Sequence, residues 1–290
     1  MLRAARYIII GLLFTFAKIS YSDEKAMVSQ WVPFELKGNH IYIQVEINGV
    51  MTEAILDTGA NRSVLSGKIA EELSVKRSRQ SIKVHGVTGS KKRFLSKETS
   101  VALPNVFKSD VKFVLMPDDS TYPPILGMDF LGAPVIQIDY PNLQLRIASS
   151  NAFRYPEKLA IPLQVSGSSI FFKSSIDGFE LKTLLDTGNA SRTFLTHNLI
   201  KDASWYSKVK EWPSQSTNNS GLHEEHLTYQ HGKTNNFQIG PYSLENVELH
   251  LVSDNDVNTK DYLVVGYDVL KHFTITIDRD NKNLYLTLPE

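Results

Sequence analysis

The feature that most constrains this chain is that it is written twice. Gly49 precedes Asp57 by eight residues, and Gly178 precedes Asp186 by the same eight. Asn48-Gly49 and Asp177-Gly178 each follow an alternating run, His40–Ile47 and Ser169–Ile176. Asn-Gly and Asp-Gly in that setting predict two-residue hairpins, because both turn positions need positive φ. A second strand then ends in an apolar pair and an acid, Ile55-Leu56-Asp57 and Leu184-Leu185-Asp186. Further on, Ile125-Leu126-Gly127-Met128-Asp129-Phe130-Leu131 is answered by Val264-Val265-Gly266-Tyr267-Asp268-Val269-Leu270. Ile138-Asp139 and Ile277-Asp278 end twelve residues past these glycines and open the last hairpin of each copy. Leu143–Ile147 and Leu284–Leu288 read as the closing strands, which makes the second loop two residues longer. From acid to glycine the first copy takes 70 residues and the second 80, an insertion that belongs in surface loops.

Short strands separated by turn signals make each copy an all-β, barrel-like unit. The boundary falls near residues 149–160, where Ser149-Ser150-Asn151 and Tyr155-Pro156-Glu157-Lys158 have loop chemistry. The expected domains are residues 31–150 and 157–290. Helix is confined to Gly67–Leu73, His197–Ala203 and short segments after Gly127 and Gly266. Residues 1–22 read as a secretory signal: Arg3 and Arg6, an apolar run from Tyr7 to Ala17, and Ser20-Tyr21-Ser22 before Asp23. An uncleaved membrane anchor is the alternative, although the run is shorter than the roughly 20 residues a spanning helix needs. Cleavage removes three basic residues and no acidic ones from totals of 31 and 31, leaving a formal charge of −3. That balance carries no footprint for nucleic acid. The chain has no cysteine, which excludes disulfides, thiol nucleophiles and thiolate metal sites. An exported protein without disulfides fits a bacterial envelope, periplasmic or secreted.

The two acids sit in Asp57-Thr58-Gly59-Ala60 and Asp186-Thr187-Gly188-Asn189. A single such tripeptide is an ordinary turn. Two copies at equivalent points of a duplicated unit ask for a joint purpose. Two neighbouring carboxyl groups cannot both ionise, so the pair keeps one proton. The ionised member can draw a proton from water while the protonated one donates to a carbonyl oxygen. Glycine after Asp-Thr is expected to allow a turn that a Cβ would obstruct.

These motifs resemble those of retroviral-type aspartic peptidases, in their bacterial form. Asp57-Thr58-Gly59-Ala60 with Ile125-Leu126-Gly127 looks like the family's signature pair, and the similarity spans about residues 35–147 and 160–288. The resemblance implies two tandem retropepsin-like closed β-barrel domains that form a pepsin-like bilobed pseudo-dimer. It implies an endopeptidase acting on polypeptides with Asp57 and Asp186 catalytic. It also implies interlocking threonines, Thr58 and Thr187, and active turns supported by Gly127 and Gly266. Flaps are expected at Val84–Gly89, with His85, Gly86 and Gly89 at the tip, and at Thr217–Leu222 around Ser220 and Gly221. Asn189 departs from the small residue the family places there. Its amide is expected to donate to Asp186, making Asp186 the more acidic member and Asp57 the proton carrier.

Other clusters carry less. His223-Glu224-Glu225-His226 with His231 lacks the spacing of a His-Glu-x-x-His zinc helix and reads as an exposed loop, so no metal or cofactor is expected. Lys91-Lys92-Arg93 reads as a solvated loop. Trp205, Tyr206 and Trp212 either shape a subsite or pack beneath the second copy's insertion. The leading layout is a monomer with both acids in one chain; a homodimer pairing like halves is the rival. A barrel that has lost catalysis and serves as an envelope binding or scaffold protein is the rival of a different class.

Overall fold

A computed structural model describes residues 26–86, 90–118, 122–132, 135–209, 211–219, 225–253 and 261–289. The helices among them are short: α1 (Gly67–Glu72), α2 (His197–Ile200), α3 (Tyr206–Val209) and α4 (Tyr267–Leu270). Ser66 caps α1 by accepting from the Ile69 amide at 3.2 Å. Three expectations about helix shift: α2 stops at Ile200, α3 is an addition, and the segment after Gly127 is a turn.

The first lobe is a ten-stranded sheet. Its path runs β6 (Arg77–His85), β7 (Ser90–Ser96), β10 (Val114–Met116), β5 (Val64–Ser66), β11 (Ile125–Leu126), β4 (Val50–Leu56), β3 (His40–Ile47), β8 (Thr99–Leu103) and β9 (Phe107–Val111), with β2 (Glu35–Lys37) on β3. The second lobe repeats that order as β19 (Ser214–Asn219), β20 (Glu225–Lys233), β23 (Glu248–Val252), β18 (Thr193–Thr196), β24 (Leu263–Val265), β17 (Phe179–Leu185), β16 (Ser169–Ile176), β21 (Phe237–Ile239) and β22 (Tyr242–Leu244), with β15 (Gln164–Ser166) on β16. The barrel expected of each half takes the form of a curled half-barrel sheet.

Local chemistry explains the hairpins. In β3 the alternate residues Ile41, Ile43, Val45 and Ile47 are buried, as a half-buried strand requires. Asn48 and Gly49 have φ of 49° and 85°, and Asp177 and Gly178 have 47° and 85°, so both turns are the predicted two-residue type. Each hairpin's second strand then runs parallel to a strand far along the chain. Leu56 lies opposite Leu126, and Leu185 opposite Val265. This pairing brings each apolar-apolar-Gly segment beside an aspartate.

A six-stranded antiparallel sheet joins the lobes, in the order β1 (Val32–Pro33), β13 (Gln144–Ala148), β12 (Val135–Asp139), β25 (Thr274–Asp278), β26 (Asn283–Thr287) and β14 (Ile161–Pro162). At its centre Ile136 faces Ile277 and Ile138 faces Ile275, all wholly buried. One main apolar core runs through both lobes and this sheet. Asp139 and Asp278, the repeated Ile-Asp acids, accept the amides of Asn142 and Asn281 at 3.2 and 3.0 Å and so shape the closing turns. Asp139 opposes Gln144 and Asp278 opposes Asn283, which makes the two loops equal in length, contrary to expectation. Leu143 misleads the alignment because it is a turn residue, with φ of 52° and 40% exposure; Lys282, φ 54°, is its true counterpart.

Composition also misleads in two polar stretches. Lys91-Lys92-Arg93 lies within β7 and Glu225-His226 opens β20, where loops were expected. Pairing with β6 in the first stretch and with β19 in the second overrides their weak strand preference. Trp205 is buried and donates from its ring N–H to the Ile176 carbonyl at 3.1 Å. Trp212 lies where a Cβ on Gly232 would be. These rings, with Tyr206, pack into the core. No described helix is long and apolar enough to cross a membrane.

Candidate active site

Asp57 and Asp186 each follow directly on a strand, β4 and β17, and each opens a tight turn. The Asp57 Oδ1 accepts the amides of Gly59 and Ala60 at 2.8 and 2.9 Å. The Asp186 Oδ1 accepts those of Gly188 and Asn189 at 2.9 and 3.1 Å. Each carboxyl group is thus aimed by its own turn. The two carboxyls meet across the lobes, each lying against the other lobe's turn glycine.

The glycines matter for a reason other than the expected one. Neither Gly59 nor Gly188 has positive φ. A Cβ on Gly59 would overlap the Asp186 carboxyl, and a Cβ on Gly188 would overlap that of Asp57. Each glycine therefore makes room for the other lobe's acid. Gly127 and Gly266 give similar clearance one layer out. A Cβ on Gly127 would meet the Ala60 carbonyl oxygen at 2.6 Å, and one on Gly266 would meet the Asn189 Nδ2 at 2.5 Å. The amides next in line, of Met128 and Tyr267, donate to the Ala60 and Asn189 carbonyls at 2.9 Å each.

Beneath the acids the threonines interlock as the resemblance implied. The Thr58 amide donates to the Thr187 Oγ1 at 3.0 Å, and the Thr187 amide returns the bond to the Thr58 Oγ1 at 3.0 Å. Each hydroxyl then donates to the far lobe, Thr58 to the Leu185 carbonyl and Thr187 to the Leu56 carbonyl, both at 2.9 Å. Both threonines are essentially inaccessible. A buried hydroxyl with a donor and an acceptor fixed in this way holds its partner's backbone within hydrogen-bond tolerance.

Burial raises the Asp57 carboxyl above the ordinary carboxylate range. Burial raises Asp186 well above it, and the charge of Asp57 adds to that rise. The pair therefore retains a proton. The donation expected from the Asn189 side chain to Asp186 is not made. The Asn189 amide donates to the Arg192 carbonyl at 3.0 Å, and its Oδ1 accepts the Ser191 amide at 3.3 Å. Only its backbone N–H reaches Asp186. The second turn takes one more residue than the first to reach the hydroxyl residue bonded to its aspartate, Thr193 against Ser63, and the asparagine side chain ties down the longer loop.

Several supporting residues have no clear signature in the chain. Asp129 Oδ1 accepts the Ser63 amide at 2.8 Å and its hydroxyl at 2.7 Å; Asp268 Oδ1 accepts the Thr193 amide and hydroxyl at 3.0 Å each. The same hydroxyls accept the amides of Gly127 and Gly266 at 3.1 and 3.4 Å. Burial raises both of these aspartates. Their recurrence two residues after each glycine was the available signal. Tyr140, 3% exposed, lies edge-on to Phe34 and to Tyr267 with ring centroids 6.0 Å apart in each case. Burial, and then the charge of Asp186, push its phenol up.

Of the expected flap residues, His85 is the last paired residue of β6, with its Nδ1 2.7 Å from the Ser90 Oγ, and Gly86 follows it. Ile82 and Val84 of that hairpin pack with Val64 and Ile125, against the strands that flank Asp57. Gly89, Ser220 and Gly221 lie outside the described residues. Glu225 and His226 are strand residues and His231 pairs with His250 across β20 and β23; His223 and Glu224 lie outside the described residues.

Two carboxyl groups aimed by duplicated turns, meeting at the seam of a two-lobed β protein, define an aspartic-peptidase-like class. Residues 43–133 and 172–272, together about two thirds of the chain, each match the family described as gag-polyprotein putative aspartyl protease. The chain belongs to that family, in two tandem copies. No curated protein matches it.

Proposed function

We propose that this protein is an aspartic endopeptidase whose single active site is shared between its lobes. The observation that carries the reading is the meeting of Asp57 and Asp186, each held by its own turn amides and seated over the other lobe's glycine. In the resting dyad one acid is the carboxylate and the other holds the shared proton. A water between them gives a proton to the carboxylate as its oxygen attacks the peptide carbonyl carbon. The protonated acid donates its proton to the carbonyl oxygen, forming a neutral tetrahedral diol. Collapse of that intermediate passes a proton to the leaving amine. No metal or cofactor is required for these steps.

The protein acts as a monomer in this reading. Support comes from the core that runs unbroken through both lobes and from the central Ile136–Ile277 and Ile138–Ile275 pairs. Asn189 is the one departure that favours a non-catalytic binding protein, and in this reading its side chain serves the longer second turn. Export is part of the proposal and rests on residues 1–22 as a signal; fractionating cells for the shortened chain tests it. The function itself is tested by incubating the protein with a diverse peptide mixture from acidic to neutral pH. Cleavage by the wild type, but not by Asp57→Asn or Asp186→Asn, is expected. Sizing the active species tests the layout, and activity confined to a dimer would overturn it.

A further inference from the structure

The two lobes present unlike faces beside their acids. Residues opposite one another in neighbouring strands share a face of the sheet, so the pairing traces one row outward from each aspartate. In the first lobe Ile55, two residues before Asp57, lies opposite Ile125, Ile125 opposite Val64, Val64 opposite Val114, and Val114 opposite Leu95. Val64, Val114 and Leu95 are buried and pack with Ile82, Val84 and Ile125 into an apolar cluster of their own. In the second lobe the row starts in the same way, from Leu184 to Val264 to Phe194. It then changes character: Phe194 lies opposite His250, and His250 opposite His231. The neighbouring pair differs too, with Tyr229 opposite Gln215 where the first lobe has Arg93 opposite Ile82. Five residues past the supporting glycines, Gly132 is answered by Lys271. These second-lobe residues border a cavity of about 680 Å³. It reaches Ala190, four residues past Asp186, and there the Asn39 Nδ2 of the first lobe donates to the Ala190 carbonyl at 3.0 Å. The cavity therefore lies on the seam, along the row that starts at the second acid.

We propose, resting on the peptidase reading, that the substrate cleft is chemically one-sided: the second lobe receives an acidic side chain of the polypeptide in this cavity, and the first lobe receives an apolar one. The cavity has fixed walls. The Tyr229 ring stacks on His250, with centroids 4.1 Å apart and planes at 19°, and its hydroxyl donates to the Gln215 Oε1 at 3.2 Å. Glu248 engages Arg192 at 2.7 Å and offsets its charge. Lys271, which is exposed, has no ion pair among the described residues, so the charged groups around the cavity leave one cation over. Burial, followed by the charges of Arg192 and His231, lowers His250 to about 4, so at neutral pH that ring offers hydrogen bonds without charge. A carboxylate entering here meets the Lys271 ammonium and two imidazoles. An apolar side chain would cover those groups and give them no partner. Arg62 precedes Ser63 as Arg192 precedes Thr193, and Arg93 takes the place of Tyr229, so a cation near the cleft does not separate the lobes. The histidine pair, Lys271 and the cavity do. β23 lies three strands from β17, roughly 14 Å at ordinary strand spacing, which an extended peptide covers in about four residues. The acid is therefore expected within about four residues of the scissile bond, on one side only.

The experiment maps the cuts that the full chain makes in a diverse peptide mixture, read by mass spectrometry. Asp or Glu should be enriched at one position within about four residues of the cut, and apolar residues at the matching position on the other side. Acidic enrichment equal on both sides, or on neither, overturns the proposal. Short apolar peptides that differ only in carrying Glu, Gln or Leu at that position then assign the preference to the cavity. The wild type should favour Glu over Gln by about tenfold in kcat/KM. His231→Leu combined with His250→Val copies the first lobe's residues and should bring Leu ahead of Glu. Lys271→Glu, at an exposed position outside the sheets, should abolish the preference for Glu. Each readout is a ratio within one preparation, so partial unfolding does not imitate it. A wild-type ratio in either variant overturns the proposal. Absence of any cleavage by the wild type would defeat the peptidase reading instead. Calorimetric binding of the Glu and Gln peptides to the full chain would then still decide the cavity: tighter binding of the Glu peptide supports the proposal, and equal or undetectable binding overturns it.

Discussion

The first lobe passes from Asp57 to Ser63 in six residues, and the second from Asp186 to Thr193 in seven. Ser63 and Thr193 nevertheless reach the same station, bonded to Asp129 and Asp268, and each begins or precedes the next strand. The extra residue is absorbed by one side chain, Asn189, which folds onto its own loop. The lobes thus share their hydrogen-bond frame and differ in how tightly it is drawn. The Ser63 hydroxyl sits 2.7 Å from Asp129 and 3.1 Å from the Gly127 amide; the corresponding Thr193 distances are 3.0 and 3.4 Å. Duplication preserved the bonds that aim the acids, and drift accumulated in the loop behind them.

The strongest way to break this comparison is to remove one acid at a time. Asp57→Asn and Asp186→Asn should each lower kcat/KM by about a thousandfold or more, since neither carboxyl can act as both acid and base. A single mutant with near-native turnover would show that one lobe suffices. The cross-lobe threonines come next. Thr58→Val and Thr187→Val each strand a buried amide and a buried carbonyl, at about 2–3 kcal/mol in chemical denaturation. The two losses should match; because the two hydroxyls share no hydrogen bond, any departure of the double mutant from their sum measures coupling across the seam. Unequal losses would mean that the grip leans on one lobe.

Finer tests address the looser second frame. Ser63→Ala should cost about 1–2 kcal/mol, because Asp129 keeps only backbone donors. Thr193→Val, at the longer distances, should cost less; the reverse order would contradict a tighter first lobe. Asn189→Ala should lose about 1 kcal/mol through the freed loop, with the acid limb of the pH–rate profile unmoved. Movement of that limb would restore the amide as a tuner of Asp186. Stability against pH gives a last check. The folded dyad binds a proton more tightly than the unfolded chain, whose aspartates titrate near a pKa of about 4. Its stabilising contribution is therefore complete below that pKa and lost as the pH rises through the folded value. Thermal melts should show Asp186→Asn gaining on the wild type at neutral pH and not at pH about 3.

Much of this was legible in the chain because it is governed by short-range rules. Asn48-Gly49 and Asp177-Gly178 need positive φ, which their residue types announce. The apolar alternation of β3 is visible in one dimension. Errors arose where a residue's type suggested one environment and pairing imposed another. Leu143 reads as a strand residue, yet it occupies a left-handed turn. Lys91-Lys92-Arg93 reads as loop, yet its backbone pairs with β6.

The sequence by itself determined the duplication, the two hairpin turns, and the placing of Asp57 and Asp186 at matching points, because repetition and turn chemistry are local and recur at fixed spacing. Only the tertiary structure decided what faces what across the seam. Thr58 and Thr187 bond across 129 residues, and Gly59 yields space to Asp186 as Gly188 does to Asp57. Asn189, the visible oddity, turned inward to its own loop. The physical reason is that a side chain's partner is set by where two distant backbones come to lie, and no spacing within either copy records that distance.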